Sequence, residues 1–85
     1  ILNIISSSMR LDNLVKHLTK TSRDKAADII RGGKVKINHI PEDKASTELK
    51  EGDLLSITRA GRFKIHKICG RTKSGRQKIQ IKHYV

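Results

Sequence analysis

The apolar residues of this chain change their spacing once, at Gly32-Gly33, and that change limits the folds open to it. Before the two glycines they recur every three or four residues, as on a helix; after them they alternate, as on a strand. Leu11, Leu14, Val15 and Leu18 lie on one helical face. Ser8 is placed to cap that helix by accepting a backbone amide, and Asp12 falls where the helix dipole favours an acid. Thr21-Ser22-Arg23-Asp24 opens a second helix, with Asp24 reaching back to the cap residue, although that box prefers Glu or Gln. Ala26, Ile29 and Ile30 form its buried stripe, and the glycine pair supplies a left-handed stop. Two short helices so close in sequence must pack as a hairpin or cross steeply.

From Lys34 the period is two. Val35 and Ile37 share one face of a strand, with Lys34, Lys36 and Asn38 on the other. Pro41 marks a loop, and Lys50-Glu51-Gly52-Asp53 a turn into Leu54-Leu55-Ser56-Ile57. Ala60-Gly61 turns the chain again. Phe63–Ile68 and Lys78–Tyr84 then form a hairpin around Gly70–Arg76, with Ile79 and Ile81 inward and Lys78, Gln80 and Lys82 outward. The expected fold is α+β: a two-helix hairpin packed on a small, mainly antiparallel bent sheet, with an added C-terminal basic β-hairpin.

Length and composition remove several function classes. Eighty-five residues suit one domain with a small core. No apolar run approaches the ~20 residues that span a bilayer. The start, Ile1-Leu2-Asn3-Ile4-Ile5, lacks the basic opening and long apolar centre of a signal peptide. It is also not a methionine, and Met9 stands well inside, so a piece of a longer protein is expected. Cys69 is the one cysteine, which fits a reducing cytoplasm. His17, His39, His66 and His83 are isolated from any Cys or carboxylate at metal-ligand spacing. His66 and His83 alone, meeting across the last hairpin, would make a poor site. Cys69 is better read as a small residue at a strand end than as a nucleophile. No phosphate-cradling glycine loop is present. Neither catalysis, a cofactor, a metal nor a small-molecule substrate is expected.

Charge carries the functional signal. Nineteen Lys and Arg against eight Asp and Glu give +11, and every acid lies at or before Asp53. Residues 1–53 hold ten basic residues and all eight acids, a net of +2, whereas residues 54–85 hold nine and none, a net of +9. A stretch without a compensating carboxylate repels itself unless a polyanion normally lies against it. Nucleic acid is the leading partner.

The start of the second helix is a phosphate site in waiting. Its first backbone amides lack acceptors and carry the positive end of the dipole. Ser22, Arg23 and Lys25 surround them, Arg10 opens the other helix, and Lys34 and Lys36 leave the glycine turn beside Asn38. A helical hairpin would let these groups converge. The plain alternative is that Arg23 and Lys25 pair with Asp24 or Asp28 on a solvated face.

Taken in order, Arg10-Leu11-Asp12-Asn13-Leu14, Ser22-Arg23-Asp24-Lys25-Ala26, Ile29–Asn38 and Glu51-Gly52-Asp53-Leu54-Leu55 resemble the ribosomal-protein-S-four-type RNA-binding domain, or alpha-L motif. The likeness spans residues 9–58. It implies two helices on a bent sheet, with structured RNA gripped by the second helix start and the following loop. Carried over by position, Arg10, Ser22, Arg23, Lys25, Lys34 and Asn38 face RNA. Leu11, Leu14, Ala26, Ile30 and Val35 are core, and Asp12 orients Arg10 or the neighbouring helix end. Residues 1–8 are then the end of an upstream linker, and residues 59–85 a basic strand extension of the same domain.

That extension, with Arg59-Ala60-Gly61-Arg62-Phe63-Lys64, and the approach from Ile5 to Asp12 are similar to the C-terminal domain of a bacterial and plastid family. Its members are described as cell-division-associated or photosystem-II-biogenesis RNA-binding proteins. Lys36, Arg59, Arg62, Lys64, Arg71, Lys73 and Arg76 extend the expected RNA contact. Two aromatics, Phe63 and Tyr84, are too few for a stacking platform, and Phe63 is expected in the core. The expected partner is therefore folded ribosomal or transfer RNA, read by shape and phosphates and bound by a cytoplasmic monomer away from membranes. Three alternatives stay open: the targeting domain of an RNA-modifying enzyme such as a pseudouridine synthase, a duplex-DNA binder, and a basic tail docking on acidic membrane or protein surfaces.

Overall fold

A computed structural model describes residues 2–84 and, within them, every side chain except that of Arg71. The order is β1 (Leu2–Ser6), α1 (Leu11–Thr19), α2 (Arg23–Arg31), β2 (Val35–Ile37), β3 (Ile40–Pro41), β4 (Leu54–Ile57), β5 (Gly61–Arg71) and β6 (Gln77–Tyr84). All strands join one antiparallel sheet in the order β1-β6-β5-β4-β2-β3. The expected α+β architecture is the one observed, and the basic hairpin forms the middle of the sheet.

Both helices start where the periodicity places them, but they are capped differently. Ser22 caps α2, its hydroxyl accepting the Lys25 amide at 3.2 Å. Ser8 does not cap α1. Arg10 holds the extended cap position without a side-chain cap bond, and the first two amides donate to a distant loop instead: Leu11 N–H to Thr47 O at 2.7 Å and Asp12 N–H to Ala45 O at 3.1 Å. Ser8 Oγ accepts from the Arg10 amide and from Asn13 Nδ2. Loop 42–50 is thereby pinned to α1, and Leu49 enters the core. At the end of α2, Gly32 keeps a negative φ and Gly33 carries the left-handed turn at φ +76, a conformation glycine adopts without a Cβ penalty.

Leu11, Leu14, Val15, Ala26 and Ile30 close onto Val35, Leu55, Ile57, Phe63, Ile65, Ile79 and Ile81, all buried, with Ile29 partly buried beside them. Alternation then fixes the opposite sheet face. It carries Lys36, Ser56, Arg62, Lys64, Lys82 and Tyr84, and none of the strands contains a carboxylate.

Several local expectations change. Leu2–Ser6, expected as linker, pairs along β6 from Leu2↔Ile81 to Ser6↔Gln77, so that Ile4 packs on the core and Ser6 is buried. Asn38 is not on a strand face. With His39 it forms the two-residue turn between Ile37 and Ile40, both at positive φ (51 and 70), the backbone that hairpins prefer. Pro41 therefore ends a short edge strand, where its missing N–H costs no ladder bond. His66 and His83 do not meet. A bulge between Ile65 and Lys67 displaces His66, and His83 pairs with Phe63, the rings stacked at 4.4 Å.

Candidate nucleic-acid interface

Asp12 organises the helical end of the molecule. Its side chain is 5% exposed, and Oδ2 accepts from Arg10 Nη2 at 3.2 Å and from Arg23 Nε at 3.3 Å. Its other oxygen accepts the Asn13 amide at 2.8 Å. Arg10 and Arg23 are 41% and 54% exposed, so the acid is buried beneath two guanidinium groups that face solvent. Arg23 is engaged through Nε, which leaves its terminal nitrogen fork open for a bidentate contact. The pairing of Arg10 with Asp12 follows from their spacing. That of Arg23 crosses from α2 to α1 and replaces the alternative partners Asp24 and Asp28. Ser22 and exposed Lys25 flank the same helix start, where the dipole adds partial positive charge.

Lys34 and Lys36 do not join this group. Arg23 and Arg31 stand at opposite ends of α2, about 12 Å apart along its axis, and Lys34 follows beyond Arg31. Lys34 and Lys36 instead line a hollow of about 580 Å³ with Arg59, Arg62 and Tyr84. Lys64 lines a second hollow, of about 490 Å³, which shares Arg62 and Tyr84 with the first. The expected site residues thus divide between a helical surface and the outer sheet face.

Asn38 is exposed, but its amide is used internally. Oδ1 accepts the Leu54 amide and Nδ2 donates to Asp53 Oδ1, each at 3.0 Å. Lys73 and Arg76 project from a hairpin loop closed by Thr72 N–H to Arg76 O at 2.6 Å and Gly75 N–H to Thr72 O at 3.0 Å. The Arg71 side chain lies outside the described residues. Asp12 meets the neighbouring helix end, where the resemblance has it, but sequence reasoning did not name Arg23 as the partner there, and it missed the position of Tyr84 beside Arg62. The period of β6 placed Lys82 outward, and extending it by one step would have found Tyr84.

Two titrating groups are displaced from their ordinary values. The Thr47 hydroxyl, ahead of the Lys44 and Asp43 amides, favours ionised Glu42 and lowers its pKa, at the start of the loop that is pinned to α1. Burial, then the charge of Lys16, lowers that of His17. Among the described residues no three His, Cys, Asp or Glu side chains gather as a metal site, and no helix is long and apolar enough to cross a membrane.

Residues 9–55 match the S4 domain family. Over 73 residues the chain is 36% identical to the ribosome-associated protein quality control protein P2 of Bacillus subtilis (strain 168), a match covering 86% of this chain and 28% of that protein. A crystal structure of pseudouridylate synthase is similar at a TM-score of 0.56 and 28% identity, over 59% of this chain and 22% of that one. The chain spans about a quarter of the length of each.

Proposed function

The chain belongs to the S4 domain family, the RNA-binding alpha-L motif, and from that premise we propose that it holds a folded ribosomal or transfer RNA stem-loop on its helical surface. Phosphates sit on Arg10, Arg23 and Lys25 and on the capped start of α2, and the RNA is read by shape more than by sequence. The observation that carries this reading is the buried Asp12 carboxylate, which fixes two half-exposed guanidinium groups side by side. Lys73 and Arg76, on their ordered loop, add a second hold. The domain acts by binding, as a cytoplasmic monomer, and its ribosome-associated relative supports a place on or near the ribosome. The likeness to that relative runs over more residues than the family match, so it reaches into the basic extension.

The test is chemical-shift mapping of the labelled chain during titration with a ribosomal RNA stem-loop at two salt concentrations. Shifts on Arg10, Ser22–Lys25 and Lys73–Arg76 are expected. Neutralising about five to eight phosphates gives a log–log salt slope of roughly −4 to −7, between the single-strand and duplex coefficients. A slope near −1 removes the premise that phosphates drive binding. The likeness to pseudouridylate synthase favours one other reading, that the domain delivers an attached catalytic domain to its RNA. Pseudouridine formation by the full-length protein separates the two.

A further inference from the structure

The sheet has two faces, and only one is covered. The helices lie on the core side. On the other side the strand registers align outward residues into rows. Lys36 stands opposite Ser56, Ser56 opposite Arg62, and Arg62 opposite Tyr84, so one row crosses four strands. In the next row Lys64 stands directly opposite Lys82. Like charges facing each other across strands are destabilising, and no strand offers a carboxylate to relieve them. The fold has no use for that pair. A polyanion lying on the sheet does.

Shape adds to charge. The two hollows described above meet at Arg62 and Tyr84, and no acid lines either of them. Tyr84 is 45% exposed, an aromatic ring standing at the boundary of the two cavities with cations on both sides. Outward residues along a strand repeat every ~6.6 Å, a step that an extended sugar–phosphate backbone can follow. A duplex keeps its bases stacked inside, whereas a single strand can splay one onto an aromatic ring and lay its phosphates on flanking cations.

We propose that this outer sheet face is a second RNA site, which holds a single-stranded segment with one base stacked on Tyr84 and its phosphates on Lys36, Arg62, Lys64 and Lys82. It rests on the reading of the chain as an RNA-binding domain. It goes further in separating two occupants: folded RNA on Arg10 and Arg23, and a single strand on the opposite side of the sheet. The domain then joins two RNA segments, and does not grip one segment more widely.

The experiment uses the whole chain, a labelled hairpin RNA and a labelled oligouridylate of about ten nucleotides, near physiological salt so that diffuse attraction is screened. Tyr84→Leu is expected to weaken oligouridylate binding roughly tenfold and to leave hairpin binding unchanged, while Tyr84→Phe retains both. Lys82→Gln weakens the oligouridylate alone. Saturating hairpin leaves the oligouridylate bound. The proposal is overturned if Tyr84→Leu binds the oligouridylate as the parent does, if hairpin displaces it one for one, or if phosphatidylserine vesicles capture the chain where the oligouridylate does not. Failure of the helical site has a separate signature, in which Arg10→Ala with Arg23→Ala leaves hairpin affinity intact.

Discussion

Replacing Asp12 by Asn sets two physical accounts of RNA binding against each other. The substitution removes one negative charge and raises the net charge from +11 by one unit. If affinity followed total charge, binding would tighten slightly. The geometry gives the opposite sign. The carboxylate holds Arg10 and Arg23 in place before RNA arrives, and without it each side chain must be ordered on binding. That ordering costs about 0.5–1.5 kcal/mol per side chain, hence roughly 1–3 kcal/mol for both, or about five- to 150-fold in Kd. The Asn oxygen can still accept the Asn13 amide, and both arginines are exposed enough to regain water. The stability loss should therefore stay near 1 kcal/mol, or roughly 4–8 °C in Tm. Fluorescence anisotropy with a hairpin RNA, alongside a thermal melt, measures both quantities. A variant that melts within this range and binds hairpin as tightly as the parent, or more tightly, would refute the claim that Asp12 organises the site.

Three other outcomes follow from the packing and titration described above. Ile30→Ala, at a fully buried position on α2, should cost about 2–4 kcal/mol; a shift in the urea-derived stability below about 1 kcal/mol would mean that the helix does not seat there. Asn38→Ala loses the bonds to Leu54 and Asp53 and puts a Cβ residue without side-chain compensation at φ 51. It should destabilise by about 2 kcal/mol with hairpin affinity within about twofold, and a larger affinity loss at intact stability would return Asn38 to the RNA surface. His17 has a folded pKa below its ordinary 6.5, so the unfolded chain takes up the proton first. Its contribution is present above pH 6.5 and is lost as pH falls through the folded pKa. Urea midpoints measured from about pH 7.5 to about pH 5 should decline less in His17→Gln than in the parent.

What the sequence reveals here is what local chemistry determines. Leu11, Leu14, Val15 and Leu18 announce α1 because a helix repeats within a few residues, and Ser22 and Gly33 mark the ends of α2 for equally local reasons. Strand β1 is illegible because Leu2–Ser6 is short and its partner, Gln77–Ile81, lies at the far end of the chain. The turn at Asn38-His39 lacks the Gly that usually follows Asn in such hairpins, so Asn38 reads as a strand residue. In the site, Arg10 and Asp12 are near neighbours and their pairing is legible. The bond from Arg23 to Asp12 depends on how α2 packs against α1, which composition and period do not state. The division of Lys34 and Lys36 from Arg23 is set by the length of α2, and a count of helical turns would have shown that one surface could not collect them all.

The pairing of β1 with β6 also governs when the fold can close. β6 comes last among the strands, yet it lies between β1 and β5. Until it joins, β1 has no hydrogen-bonding neighbour, and β5 exposes one unpaired edge. During synthesis from the N-terminus, Leu2–Ser6 must wait while some seventy residues emerge. Contacts so distant in sequence carry a loop-closure cost before they return any stability, which slows folding. Closing the sheet must therefore await β6, and a nascent chain that has not yet produced Gln77–Tyr84 leaves β1 unpaired and one edge of β5 open to its surroundings.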